Sequence, residues 1–199
     1  MLTAYSEATT VKSLDIRDAR VMAGLLMGGA LPALLSSMTL TAVGRTAEMR
    51  LLRYGVSSER FPDFEGKVRP DYQRRIDIAA SGALGQLLVP CLVAAASPFA
   101  IVFTLGRESL AGFLAGNIVS GILLAISMAN AGGAWDNAKK HIAAGAFGGE
   151  RSLARISSVV GYTVGDPLKD AAGPTLNIVV ELVAAVSLAF VPLFLRFVR

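Results

Sequence analysis

Residues 132–140 read Gly132-Gly133-Ala134-Trp135-Asp136-Asn137-Ala138-Lys139-Lys140, and they overlap the end of an uncharged run from Ser109 to Trp135. This run has 27 residues. An α-helix needs about 20 apolar residues to cross the hydrocarbon core of a bilayer. Spacings of three and four residues place Asp136, Lys139 and Lys140 on one face of the helix. The segment therefore predicts a transmembrane helix that ends in a charged cluster at the membrane surface.

The composition extends this interpretation to the whole chain. Hydrophobic residues make up 53% of the 199 residues, and the mean hydropathy is +0.55, whereas soluble domains are about 45–50% apolar. Four segments are long and apolar enough to span a membrane: Val21–Gly44, Ile78–Gly106, Ser109–Trp135 and Ala171–Leu195. The 20 glycines are typical of membrane helices that pack closely. The predicted fold class is an all-α membrane protein with four transmembrane helices.

The predicted boundaries follow from these apolar segments and the charged stretches between them. We expect the tail of a preceding helix and a non-cytoplasmic loop over residues 1–20, transmembrane helices over 21–53, 71–106, 108–144 and 155–197, and cytoplasmic loops over 54–70 and 145–154. Residues 45–77 and 136–170 together hold 13 Lys and Arg residues, against 6 in the rest of the chain. Both connections are therefore predicted to face the cytoplasm. Topology accounts for the basic residues, so nucleic-acid binding is not expected.

The cluster of Asp136, Lys139 and Lys140 has two interpretations. It can be a helix end whose lysines extend to the lipid headgroups while Asp136 pairs with Lys140. It can also be a pair of phosphate-binding lysines beside a carboxylate that holds a metal ion. Trp135 fits both as an aromatic residue at the membrane interface.

A second cluster, formed by Asp166, Lys169 and Asp170, precedes the last apolar segment. Asp166 and Asp170 are four residues apart on one helical face, where like charges repel unless a cation lies between them. Magnesium is held by few carboxylates together with phosphate oxygens, so Asp136 and Asp166 are candidate ligands of such an ion. The alternative is a helix N-terminus with Asp166 as its cap and Pro167 in its first turn.

Glu181 is the one charged residue of the last apolar segment, and it lies roughly 16 Å deeper than Asp170 along a helix. An ionisable side chain at such depth is costly and indicates function, or else an ion pair with a helix outside this chain. The single cysteine, Cys91, lies in the second segment. It can form no disulfide within the chain and is expected to be a buried, inert thiol.

Several motifs, taken together, carry a resemblance to a known family. They are Asn130–Lys140, Val164–Asp170 and Gly173–Ile178, supported by Leu31-Pro32, Ser36–Thr39, Ala42–Arg45 and Lys67–Tyr72. In their order along the chain, these motifs resemble the C-terminal part of the membrane-integral pyrophosphatases. These pumps couple hydrolysis of inorganic pyrophosphate to transport of H⁺ or Na⁺. The string Ala-Trp-Asp-Asn-Ala-Lys-Lys, residues 134–140, is the most specific part of the match.

The resemblance implies a role for each charged cluster. The family has about sixteen membrane helices, so the chain resembles the last four, and Met1–Ala8 resembles the tail of the twelfth. The implied metal ligands are Asp136 and Asp166, and the implied catalytic carboxylates are Asp166 and Asp170. The implied substrate-binding lysines are Lys139, Lys140 and Lys169. The implied ion gate contains Asn177 and Glu181. Lys169 and Asp170 would also belong to the layer that couples hydrolysis to the gate. The neutral Asn177 favours H⁺ over Na⁺.

Three departures from the family pattern stand at or near these sites. Tyr162 occupies the first acidic position of a Gly-Asp-Thr-Val-Gly-Asp motif, and a phenol carries no charge at neutral pH. Glu181 replaces the usual gate lysine, and Arg155-Ile156 replaces a His-Lys pair. The acidic motifs expected on earlier helices are not in this sequence, so the chain alone is expected to be incomplete and inactive.

The predicted function is therefore that of the C-terminal part of a pyrophosphate-energised proton pump. The resemblance implies Mg²⁺ as cofactor, with K⁺ as a further ion. It implies as partners pyrophosphate, the lipid bilayer, the N-terminal helices of the same pump and a second copy in a homodimer. The expected location is the plasma membrane of a prokaryote. The alternatives are a divergent relative that does not hydrolyse pyrophosphate, a Na⁺-pumping variant, and a fragment of a secondary transporter that uses Glu181 as a proton relay.

Overall fold

The computed structural model describes residues 2–9, 11, 14–58 and 72–197, and the described residues form helices without strands. In chain order these helices are α1 (Leu2–Thr9), α2 (Ala19–Ser58), α3 (Tyr72–Leu105), α4 (Arg107–Ala143), α5 (Leu153–Pro167), α6 (Gly173–Ala189) and α7 (Val191–Phe197). A 3₁₀ segment, Ala146–Arg151, joins α4 to α5, and a π-helical turn, Leu168–Ala172, joins α5 to α6. Most of the loop predicted over 54–70 lies outside the described residues.

Four helical stretches among the described residues are long and apolar enough to cross a membrane. They are Ala19–Glu48, Leu87–Leu105, Arg107–Ala143 and Leu153–Ala189. They coincide with the four apolar segments of the sequence, which confirms the predicted fold class.

The last predicted helix, over residues 155–197, is interrupted in the structure. It consists of α5, the π-helical turn, α6 and α7. Pro167 ends α5 and Pro174 lies in the first turn of α6. Proline removes a backbone donor and crowds the preceding turn, and π-helical turns are commonly found where the regular helical hydrogen-bond pattern is broken. At the end of the first predicted transmembrane helix, α2 continues to Ser58, so the first residues of the loop predicted over 54–70 are helical.

The central helix is α4, which packs against α2, α3, α5 and α6. Its closest neighbour is α2, and four glycines lie at that crossing: Gly24, Gly28, Gly112 and Gly116. A Cβ atom on Gly112 would lie 2.5 Å from the carbonyl oxygen of Val21. The Ser120 hydroxyl donates to the carbonyl oxygen of Gly29 at 2.7 Å. Backbone contact of this kind confirms that the glycines serve helix packing.

The position of Cys91, in α3, differs from the prediction. Cys91 is exposed on the surface of the described residues rather than buried. The reason is that α3 turns only part of its surface to α2, α4 and α6, and periodicity in a helix that is apolar on every side does not mark the buried face.

Candidate functional site

The candidate site lies where α4 crosses α5 and the π-helical turn. At this crossing Gly132 is buried, and a Cβ atom on it would collide with the carbonyl oxygen of Gly165 and lie 2.6 Å from the Cβ atom of Lys169. The backbones therefore touch. Asp136 follows Gly132 by four residues, and Lys169 follows Gly165 by four residues, so each lies one helical turn beyond the contact. Glycine packing thus brings the two charged side chains together.

Trp135 completes this packing. Its ring lies directly against Gly161, where any Cβ atom would overlap it, and its Cβ atom would lie 3.1 Å from a Cβ on Gly165. The sequence interpretation of Trp135 as an interfacial anchor missed this contact. The signal for it was the spacing of Gly161 and Gly165, which is the same small-residue spacing that brings helices close elsewhere in the chain.

Asp136 is the centre of the charge cluster. Its side chain is only 12% exposed, and its Oδ2 atom accepts hydrogen bonds from Lys140 Nζ at 2.8 Å and Lys169 Nζ at 3.1 Å. Lys139 Nζ lies 3.9 Å from the other carboxylate oxygen. The structure therefore places all three predicted phosphate-binding lysines around one carboxylate. The contact with Lys169 joins residues 33 positions apart.

Lys169 also links the second cluster to the first. Its Nζ atom lies 3.9 Å from Asp166 Oδ1 and 3.5 Å from Asp170 Oδ2. In the structure, this ammonium is the cation that the spacing of Asp166 and Asp170 requires. The alternative of an N-terminal cap is wrong, because Asp166 lies near the end of α5, whose N-cap is Ser152.

Tyr162 contacts the same cluster from α5. Lys139 Nζ lies over the Tyr162 ring, 2.9 Å from its centroid. In the sequence, Tyr162 stood out only as a departure from the family pattern. It did not predict the contact with Lys139, because that contact depends on how two helices cross.

An open cavity of about 540 Å³ lies beside the cluster, between α2 and α5. Its lining is mainly apolar and includes Leu40, Val43 and Leu168, with Tyr162 and Asp166 at one side. None of the three lysines lines it. A polyanion needs cationic or hydrogen-bonding groups, so the charged cluster, not this cavity, is the candidate anion site.

The predicted gate residues are not part of the cluster. Asn177 and Glu181 are exposed on α6 of the described unit, four residues apart on one helical face. The Glu181 carboxylate forms no ion pair with the described side chains. This face of α6 is open in the described residues, so any partner of Glu181 lies outside them.

This chain is similar to known proteins over nearly its whole length. The sequence profile of the family of inorganic H⁺ pyrophosphatases matches residues 1–190. The chain belongs to this family. The resemblance seen in the sequence is thereby confirmed, and so is the assignment as a multi-pass integral membrane protein.

Several curated relatives are similar along nearly the whole chain. A K⁺-insensitive pyrophosphate-energised proton pump of Chloroflexus aurantiacus is 46% identical over 91% of this chain. A protein of the same description from Methanosarcina mazei is 42% identical over 92%. A K⁺-stimulated pyrophosphate-energised sodium pump of Thermotoga maritima is 41% identical over 91%. The chain spans 23%, 28% and 25% of the lengths of these three relatives, which fits four helices of sixteen.

Proposed function

We propose that this chain forms the part of a pyrophosphate-energised ion pump that binds pyrophosphate at the cytoplasmic membrane surface. The observation that supports the proposal is the convergence of Lys139, Lys140 and Lys169 on the shielded Asp136 carboxylate. Ammonium groups are point charges that bind phosphate oxygens well. Three of them within reach of one carboxylate suit an anion that carries several charges.

The carboxylates of the cluster fit a magnesium ion that is shared with the substrate. Asp136 and Asp166 both contact the Lys169 ammonium, so they face a common space. The described residues contain no group of three or more His, Cys, Asp or Glu side chains placed to hold a metal. Magnesium in phosphate-binding sites uses one or two carboxylates and completes its shell with phosphate oxygens and water. Bound there, Mg²⁺ would act as a Lewis acid on a phosphoryl oxygen.

The remaining groups divide the work of hydrolysis. Lys139 and Lys140 would neutralise the negative charge of the two phosphoryl groups, since cations stabilise such charge strongly at partly dehydrated sites. Asp166 and Asp170 would orient the attacking water and accept its proton. Lys169, which lies between these carboxylates, would offset their mutual repulsion.

Ion transport would use the open face of α6, which carries Asn177 and Glu181. We propose that the earlier helices of the pump cover this face, so that Glu181 lies on an ion path and carries H⁺. Relatives that pump H⁺ and relatives that pump Na⁺ have similar identities to this chain, so the preference for H⁺ rests on Asn177 and Glu181. Assembly as a homodimer with K⁺ as a further ion belongs to the same proposal.

The binding step is tested with Lys140→Ala in the intact protein, assayed in membranes for Mg-pyrophosphate binding by isothermal titration and for phosphate release. Loss of a charge-assisted hydrogen bond should weaken binding by about tenfold or more. The matched control is Arg151→Ala, which removes an exposed cation from the same connection and should leave binding unchanged.

Two outcomes would contradict this assignment in different ways. Unchanged pyrophosphate binding in Lys140→Ala would leave only the interpretation in which the lysine extends to lipid headgroups. Tight pyrophosphate binding without phosphate release, in the protein of natural sequence, would identify a relative that binds but does not hydrolyse. Tyr162 in place of a carboxylate is the observation that gives this second function its support.

A further inference from the structure

The two neighbouring lysines of the site, Lys139 and Lys140, have different surroundings. The Lys139 side chain is 21% exposed, and that of Lys140 is 68% exposed. Lys139 Nζ lies between the Tyr162 ring, at 2.9 Å from the centroid, and Asp136, at 3.9 Å. Lys140 has the Asp136 carboxylate as its one described partner. Lys139 is therefore contacted on two sides, whereas Lys140 is mostly exposed and is held only by its hydrogen bond to Asp136 among the described residues.

The hold on Lys139 comes from the face of an aromatic ring. An ammonium over a tyrosine ring is attracted by the negative charge of the ring face, and the attraction grows when both groups are shielded from water. The backbone that carries this ring is held at the helix crossing, because Gly161, the residue before Tyr162, is packed against the Trp135 ring. The Tyr162 ring therefore faces the Lys139 ammonium across the contact of α4 and α5.

We propose that Tyr162 is a positioning residue that holds the Lys139 ammonium in place, so that the site has one fixed lysine and one mobile lysine. The part of this inference that concerns the substrate rests on the proposed pyrophosphate site. The fixed ammonium of Lys139 binds one phosphoryl group without being reordered, because its position is already set. The mobile ammonium of Lys140 leaves Asp136 and closes on the second phosphoryl group.

This arrangement gives the site a preference for a diphosphate over orthophosphate. Orthophosphate has one phosphoryl group and cannot engage a held and a mobile lysine at separate groups. Pyrophosphate has two groups and gains from both. Loss of the Tyr162 ring removes the advantage of the fixed lysine. The ratio of pyrophosphate affinity to orthophosphate affinity therefore falls.

The positioning role is tested by residue-resolved acetylation. The intact protein, in open membranes and without phosphate, is treated with an amine-acetylating reagent, and the rates at Lys139 and Lys140 are measured by mass spectrometry. Lys139 should react about threefold or more slowly than Lys140, because the reagent reaches its nitrogen only when the ammonium leaves the ring. Equal rates in the unaltered protein would overturn the proposal without any variant.

Substitutions identify the group that holds Lys139. Tyr162→Phe keeps the ring and should keep the slow rate at Lys139, whereas Tyr162→Leu should raise that rate to the rate at Lys140. The matched control is Val160→Leu, an exposed apolar residue of the same helix, which should change neither rate. A slow rate that persists in Tyr162→Leu, or that is lost equally in Tyr162→Phe, would overturn the role of the ring.

A second measurement separates this inference from the proposed function. Addition of magnesium chloride and sodium pyrophosphate should slow acetylation of both lysines, and the ratio of pyrophosphate to orthophosphate affinity should fall several-fold in Tyr162→Leu. If pyrophosphate protects neither lysine while the ring still governs Lys139, the proposed substrate is wrong and the positioning role stands. If both lysines are protected but the affinity ratio is unchanged in Tyr162→Leu, the role of Tyr162 in substrate preference is overturned.

Discussion

At the scale of single residues, the site is organised around Asp136 rather than around its lysines. Three ammonium groups face this one carboxylate, and the nearby Asp166 and Asp170 contact only Lys169 among them. Asp136 therefore offsets the mutual repulsion of the lysines while no anion is bound. In the proposed site, the same carboxylate would hold Mg²⁺ once phosphate is bound.

We predict that Asp136→Asn lowers the melting temperature of the protein and abolishes magnesium-dependent binding of pyrophosphate. The amide cannot balance the three positive charges, and it is a poor magnesium ligand compared with a carboxylate. Circular dichroism during heating and titration with magnesium chloride measure the two effects. Asp15→Asn is the matched control, because Asp15 forms an exposed ion pair with Arg17 at 2.9 Å, and such pairs contribute little to stability. Equal effects of the two substitutions would contradict the central role of Asp136.

Glu181 carries the second prediction at this scale. In the active intact protein, Glu181→Gln should reduce H⁺ transport several-fold more than pyrophosphate hydrolysis, because the amide binds no proton and the site around Asp136 is left intact. Proton uptake into vesicles and phosphate release are measured on the same preparation. The control is Ile178→Val, an exposed apolar residue of the same helix. Parallel loss of both activities would make Glu181 a structural residue.

At the scale of helices, close approach at glycines positions the functional side chains. Gly132 and Gly165 let α4 and the end of α5 touch, and this contact aligns Asp136 with Lys169. Gly28 and Gly112 likewise let the backbones of α2 and α4 come into contact. Cores with backbone contact cannot take up an extra methyl group without movement of a whole helix.

Gly132→Ala should therefore destabilise the protein by about 1–3 kcal/mol, as overpacking generally does, and should weaken pyrophosphate binding because α4 moves away from Lys169. The neighbouring glycine is a close control, since a Cβ atom on Gly133 meets no atom within 4 Å. Gly133→Ala should leave both properties unchanged or add slight helix stability. Thermal unfolding and isothermal titration measure the pair. Similar effects of the two alanines would show that the crossing tolerates expansion.

At the scale of the whole molecule, the four membrane-spanning stretches leave large apolar surfaces uncovered among the described residues. The chain spans about a quarter of the length of its curated relatives. Many large apolar side chains of the described residues are exposed, among them Leu88, Leu123, Val164 and Ile178. Lipid or further helices would cover these surfaces in the membrane.

The topology gives the last prediction. With Cys91 replaced by Ser, because this thiol is exposed, a new cysteine at Arg151 should be protected from a membrane-impermeant maleimide in intact cells. A new cysteine at Ile16, which is exposed at the opposite end, should be labelled. The distribution of Lys and Arg residues along the chain is the reason. The reverse pattern of labelling would show that the topology is inverted and that the Asp136 cluster lies outside the cell.

Local patterns in the sequence were sufficient to predict four membrane helices, the family and the charged residues that meet at the candidate site. Helix length and hydropathy depend on neighbouring residues alone, and the string from Ala134 to Lys140 is specific in itself. Tertiary structure decided which charges meet. The orientation of α3, α4 and α5 determines three features that the sequence did not predict. These are the contact of Asp136 with Lys169, the contact of Lys139 with the Tyr162 ring, and the exposure of Cys91. Hydropathy does not fix the orientation of α3 and α4, because a helix that is apolar on every side has no marked face.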